Sequence, residues 1–280
     1  MLGAALIHPD FREVIPLMPE AIVKQDGQTK NDCERKAAKR FLAKLRQDHP
    51  HLPLIVTEDG LSSNAPHIRE LMTYDLHFIL GAKPGDHAFL FATMEAVFAA
   101  GQAQVLTLQD PQTGTLQHFR YLSQVPRNES NPDRLVNFLE YWEIGPDGVK
   151  YFSWVTDLPL TAATVVPIMR GGRARWKIEN ETFNTLKNQG YHFDHNYGHG
   201  EKHLAGVFAL LMMLAFLVDQ VQQLCSELFR RVWAKLGSKR MLWAQLREVF
   251  HAFALGSMQE LYETLLAGYQ KQKPVLLDDS

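Results

Sequence analysis

The amino-acid sequence predicts an α/β protein in which a mixed sheet flanked by helices is interrupted by an antiparallel β insertion and followed by a helical C-terminal region. Three observations carry this expectation. A short apolar run, Leu52 to Val56, stops abruptly in Thr57, Glu58, Asp59 and Gly60, as a strand buried on both faces of a sheet does. Residues 103–157 alternate strand-like runs with strong turn signals. From Thr161 onward the apolar residues recur at helical spacing to the end of the chain. The corresponding division is 1–85 for the first part of the α/β core, 86–160 for the β-rich insertion, 161–220 for the second part of the core and 221–280 for the helical region.

Taken in order, Ala4 to Ile7 and Glu13 to Leu17 read as two strands joined by a tight turn at Pro9 and Asp10. Asn31 to Glu34 resembles a capping box, with Asn31 or Asp32 as the cap. The helix that follows sets Ala37, Ala38, Phe41, Leu42 and Leu45 at helical spacing and ends near His49 and Pro50. The run at Leu52 comes next and would set Asp59 at or just past a strand's carboxyl end, where open α/β sheets hold their chemistry. A helix over 64–74 and a strand over 77–80 follow. In the β-rich segment, the turn signals are Asp110 to Gly114 and Gly145 to Gly148. Lys202 to Leu266 reads as a run of amphipathic helices with Phe229, Val232, Leu236, Trp243, Leu246 and Phe250 in the core.

Composition narrows the classes. Apolar residues make up 46% and charged residues 21% of the 280, values of an ordinary folded protein rather than a disordered one. Cys33 and Cys225 lack metal or redox spacing and read as reduced thiols of a cytoplasmic protein. No basic-then-apolar leader pattern opens the sequence. The uncharged run Leu204 to Val218 is 15 residues long, shorter than the roughly 20 a membrane span needs, so a buried core helix is expected. The net charge of −2 gives the chain as a whole no general electrostatic attraction to nucleic acid. Two basic groups stand out, however: Arg170, Arg173, Arg175, Lys177 and Lys187, then Arg230, Arg231, Lys235, Lys239 and Arg240. By themselves such groups are solvated helix faces.

The stretch from Gly171 to Lys187 carries the candidate chemistry. On an α-helix, Arg175, Trp176, Glu179, Phe183, Leu186 and Lys187 fall within an arc of roughly 120°, while Glu181 points to the other side. Glu179 is thus the inward carboxylate. Its bland reading is an i,i+4 ion pair with Arg175. Its functional reading pairs it with Asp59: two carboxylates supply hard oxygen ligands for Mg²⁺, which activates a water or 3′-hydroxyl and stabilises the leaving oxygen in phosphoryl transfer.

Thr57 to Gly60, a β-rich insertion, and then Arg175, Trp176, Ile178, Glu179, Phe183, Leu186 and Lys187 resemble the insertion-sequence transposases of the DDE class. The similarity covers about residues 1–220, and its second motif is the specific part. The resemblance implies an RNase H-like core, with Asp59 and Glu179 as the second and third metal-binding carboxylates and Mg²⁺, or Mn²⁺ in its place, as cofactor. It implies DNA contacts from Arg175 and its neighbours Arg173 and Lys177, with Lys187 further along, and Trp176 packing the helix on the sheet. Double-stranded DNA, as transposon ends and target, would be the partner, no membrane would be involved, and a homodimer would suit two DNA ends.

Three features depart from the family pattern. Gly172 stands at the tyrosine position, and Lys187 follows Glu179 by one residue more than usual, about 80° round a helix rather than about 20°. The family's first aspartate, on the first core strand, has no counterpart: Asp10, Asp26 and Asp32 fall in a turn, a loop and a helix cap. The expectation is an N-terminally truncated transposase of impaired activity. The alternative is a non-catalytic DNA-binding or regulatory remnant that uses the two basic groups. A further cluster holds His192, His195, His199 and His203; the last three repeat every four residues, compatible with a zinc-binding helix face, but Gly198 and Gly200 favour a polar loop, or a loop contacting DNA backbone.

Overall fold

A computed structural model describes residues 1–22, 33–129, 132, 135–198, 200 and 203–268. Its strands are β1 (Ala5–His8), β2 (Phe11–Pro16), β3 (Ile55–Glu58), β4 (His77–Gly81), β5 (Gln104–Gln109), β6 (Leu116–Pro126), β7 (Leu135–Gly145) and β8 (Gly148–Thr156). Its α-helices are α1 (Glu34–Asp48), α2 (Ala65–Thr73), α3 (Ala88–Ala99), α4 (Val165–Ala174), α5 (Asn184–Asn188), α6 (Leu204–Cys225), α7 (Glu227–Leu236), α8 (Lys239–Ala252) and α9 (Met258–Ala267). A π-helical segment, Ile178–Phe183, leads directly into α5. The fold is mixed α/β and divides into two compact units, Ile22–Arg175 and Met1–Ala21 with Trp176–Ser280.

The unit Ile22–Arg175 is organised by a six-stranded mixed sheet in the order β3-β4-β8-β7-β6-β5. β3 and β4 are parallel, joined through α2, and every other neighbouring pair is antiparallel. Side chains alternate across the sheet, as a period of two requires. Phe78, Leu80, Phe138 and Val155 face Leu42 of α1, Ile68 and Leu71 of α2, and Leu90 and Met94 of α3. Ile79, Leu139, Tyr141 and Trp154 face Val165, Ile168 and Met169 of α4. The β-rich run expected over 103–157 is therefore antiparallel, and it continues the same sheet as β3 and β4.

The charged groups Arg120 and Glu140 inside this sheet are paired. Arg120 donates from Nη2 to Glu140 Oε2 (2.7 Å) and Glu95 Oε1 (2.6 Å), and Tyr151 Oη donates to Glu140 Oε1 (2.6 Å). The Arg120 guanidinium also lies over the rings of Phe98 and Trp142. Burying both charges is tolerable because each is matched and hydrogen-bonded.

Several expectations need correction. β3 is an edge strand of the sheet, and Ile55 is half exposed, so the run is not buried on both faces. An apolar run alone cannot report strand position, because hydrophobicity does not encode which neighbours arrive. The sequence pattern predicts no helix at α3: apart from Thr93 and Glu95 its residues are apolar, and they give no helical stripe to read. The capping box at Asn31 and Asp32 lies outside the described residues. Phe250 is 54% exposed rather than part of the core.

The second unit holds the β1–β2 hairpin, whose two strands form a sheet of their own. Val14 of the hairpin packs with Leu186, Tyr191, Met213 and Phe216. Helices α7, α8 and α9 share a separate core of Phe229, Val232, Leu246, Val249, Leu261 and Leu265. Each begins at a serine cap, Ser226, Ser238 and Ser257, whose hydroxyl accepts a backbone N–H of the first turn. Two of the basic residues are spent on helix ends: Arg230 donates to the carbonyls of Gln223 and Leu224, and Lys235 to those of Leu265 and Leu266.

Helix α6 is 22 residues long and, by length and composition, the one helix among the described residues able to cross a membrane. It is not the buried core helix expected, because only one side of it is covered. Met213, Phe216, Asp219, Gln220 and Gln223 are buried, while leucines and valines opposite remain exposed.

Gly172 has a packing reason. A Cβ there would stand 2.4 Å from Nε1 of Trp154, so the absence of a side chain lets α4 lie against β8. Gly172→Ala is expected to cost about 1–3 kcal/mol through overpacking, read as a lower denaturant midpoint. An unchanged midpoint would show that the indole moves aside freely.

Candidate functional site

In the sheet-bearing unit, polar side chains gather at the carboxyl ends of the parallel pair β3 and β4. Gly81 lets the two strand ends approach: a Cβ on it would be 3.1 Å from Gly60 N and 3.3 Å from the carbonyl carbon of Asp59. Asp59 is exposed just beyond β3, and its Oδ1 accepts the N–H of Leu61 at 3.1 Å, which orients the carboxylate. The preceding residue, Glu58, turns the other way, as strand alternation demands. Its Oε2 lies 2.9 Å from Nε2 of His67 on α2. Burial raises the Glu58 pKa, but His67 and the Ser62 hydroxyl outweigh burial and hold it below the usual carboxylate range.

Behind these carboxylates, the carbonyl of Ser63 receives two donors. His87 Nε2 lies 2.9 Å from it, and Arg127 Nη2 also donates to it. His87, Arg127 and Ser63 are all buried. Burial pushes the Arg127 pKa down from its ordinary value. Glu58, His67, His87 and Arg127 were not singled out from sequence. The one available signal was Asn64, the cap of α2, whose side chain accepts the N–H of His67 and so sets where that histidine begins.

Glu179 belongs to the other unit and lies in the π-helical segment. Glu179 is exposed, whereas Glu181 is the more covered carboxylate and accepts from Arg12 Nε at 3.2 Å. This reverses the inward-facing assignment. A π-helix closes i→i+5 rings and has a wider turn, so the 100° step of an α-helix no longer gives the direction of each side chain. Trp176, expected to pack on the sheet, is 50% exposed. π-helical turns are rare and concentrate at functional sites.

The expected DNA-contacting residues stand in different settings. Arg173 on α4 pairs with Glu143 and lies over the Phe152 ring at 5.0 Å. Arg175 is partly exposed and ends α4. Lys177 donates to the carbonyl oxygens of His8 (2.6 Å), Pro9 (3.2 Å) and Phe11, closing the β1–β2 turn. An ammonium has three donors, so this lysine is committed to the hairpin. Lys187 is exposed on α5.

Of the histidine cluster, His199 lies outside the described residues. His192, His195 and Gly198 fall in non-helical backbone, and His192 and His203 both have positive φ, so the described residues of this segment form no helix face for zinc.

The same unit buries a carboxylate, Asp219, which accepts from Tyr191 Oη. Burial raises its pKa to about 6, against the opposing effects of the Tyr191 hydrogen bond and the charge of Lys239.

No protein-family model matches the sequence. Comparison with curated proteins likewise gives no match.

Two predictions concern pH. The depressed Glu58 value means that its contribution to stability is present above the unfolded carboxylate value and is lost as pH falls. Glu58→Gln is expected to cost on the order of 1 kcal/mol at pH 7 and progressively less as pH falls below the ordinary carboxylate range, by denaturant titration. Asp219 has the opposite sign. Its raised value means that stability falls as pH rises from about 4 to about 6. Asp219→Asn keeps an acceptor for Tyr191 and should flatten that part of the profile; an unaltered slope would assign it to another group.

Proposed function

We propose that this chain is a DNA transposase of the DDE class, with an RNase H-like core, whose metal-dependent cleavage and transfer of DNA strands is impaired because the family's first aspartate has no counterpart in it. The observation that supports this most is Asp59, an exposed, oriented carboxylate just past the end of β3 beside the parallel strand β4. That is the edge of an α/β sheet at which ligands bind. The Arg175-to-Glu179 spacing adds the sequence resemblance, and Glu179 is likewise exposed, on an unusual π-helical turn.

Asp59 and Glu179 are the carboxylates assigned to the divalent cation. They fit it chemically: both offer hard oxygen donors, and neither is buried. Glu58 is less suited, since its oxygen is engaged by His67. When bound, Mg²⁺ or Mn²⁺ supplies an activated water or 3′-hydroxyl and charge stabilisation at the leaving oxygen. Arg175 and Lys187 are the cations assigned to the phosphate backbone. Arg173 and Lys177 are less available, because Glu143 and the hairpin carbonyls hold them.

The test is metal-dependent nicking of supercoiled plasmid together with strand transfer of end-labelled duplex DNA. The expected result is weak activity that requires Mg²⁺ or Mn²⁺ and is lost in Asp59→Ala and in Glu179→Ala, with DNA binding retained. Cleavage unaffected by both substitutions, or no DNA binding at any salt concentration, would overturn the proposal. Salt-sensitive DNA binding without any cleavage would favour the regulatory reading instead.

A further inference from the structure

Arg127, which directly follows β6, is a buried cation with no anion beside it among the described residues. It is 9% exposed, and an arginine is rarely covered that far unless an opposite charge answers it. Its one described acceptor is the carbonyl of Ser63, reached from Nη2 and shared with His87 Nε2. That carbonyl offers two lone pairs, so both are taken. Burial lowers the Arg127 pKa, and no neighbouring charge acts against it.

Around this arginine, donors outnumber acceptors. Arg127 Nε and Ser63 Oγ are both buried, and neither meets a partner among the described residues. His87 is the residue before α3, a helix of 12 residues that no side chain caps. The first N–H groups of α3 to find an acceptor are those of Leu90 and Phe91, on the His87 carbonyl. The two before them, on Ala88 and Phe89, have no described acceptor and stand at the positive end of the helix. An open depression of about 480 Å³ lies against the same turn, lined by Ala88, Phe89, Ala92, Asn128 and Glu129. Asn128 is the residue after Arg127, so the depression gives this corner its approach from solvent.

We infer that this corner, between Arg127, Ser63 and the first turn of α3, binds a phosphate group. Buried donors without acceptors call for a ligand made of acceptors. A water molecule would answer single N–H groups but leave the guanidinium charge unmatched, and a metal cation would be repelled. A phosphate brings charge and several acceptor oxygens at once, which suits both a guanidinium and a helix N-terminus. Two acids stand near, Asp86 just before His87 and Glu129 in the wall of the depression, and both are exposed. Neither pairs with Arg127, so they oppose the anion without replacing it. The inference stands apart from the DNA reading, since it uses none of Asp59, Glu179, Arg175 or Lys187.

The experiment is equilibrium dialysis of the full chain against radiolabelled inorganic phosphate, with ionic strength held constant by chloride. One saturable site is expected. Arg127→Lys keeps the charge but loses the planar fork, and should weaken binding about tenfold or more. Two further variants keep the test open should that one fail to fold. Ser63→Ala removes a hydroxyl that has no described partner and should weaken binding about threefold. Glu129→Gln changes only an exposed acid and should tighten binding about threefold. Methyl phosphate bound as tightly as inorganic phosphate would support a site for the phosphate of a larger ligand; weaker binding of it would support a site for the free ion. No saturable binding, or binding unaltered by Ser63→Ala and Glu129→Gln, would overturn the inference and leave Arg127 as a clasp on the Ser63 carbonyl.

Discussion

The sheet of the Ile22–Arg175 unit must keep both of its faces from water, and most of that unit follows from this constraint. Strand alternation sends Phe78 and Leu80 one way and Ile79 the other, so each face needs its own helical cover. Helices α1, α2 and α3 provide one cover and α4 the other. In the second, Gly172 leaves room for the Trp154 indole. Gly172 is thereby explained by packing: a larger side chain there would have no space while Trp154 holds its place.

The same alternation separates two adjacent acids into different chemical roles. Glu58, inside β3, meets His67 and is held as a charged partner for it. Asp59, one residue later, has left the strand and faces solvent with its carboxylate oriented by a backbone N–H. Only the second is suited to a solvent-borne cation and a polyanionic substrate. In the other unit the π-helical turn has a comparable effect on Glu179 and Glu181, leaving the first exposed and joining the second to Arg12. Basic residues divide in a similar way. Lys177, Arg230 and Lys235 satisfy carbonyl oxygens of turns and helix ends, so a count of positive charges overstates the charge offered to an anionic partner.

Much of the architecture was legible beforehand because it rests on local patterns. The β1–β2 hairpin has its Pro9–Asp10 turn, β3 has its stop at Asp59 and Gly60, and the antiparallel strands have their turns at Asp110 to Gly114 and Gly145 to Gly148. α3 was illegible for the converse reason, being apolar apart from Thr93 and Glu95. In the candidate site Asp59 and Glu179 could be chosen in advance, but His67, His87 and Arg127 could not, since nothing in their neighbours along the chain announces what they touch.

What the sequence by itself determined is the order and type of most elements and the position of Asp59 at a strand end. These depend on residues within a few positions of one another, and periodicity records them. Only the tertiary structure decided that β3 lies at the edge of its sheet, that Glu181 rather than Glu179 is the covered acid, and that α6 is half exposed. Each of these depends on which distant segment arrives alongside, or on a helical pitch that departs from the regular one, and a local pattern carries neither.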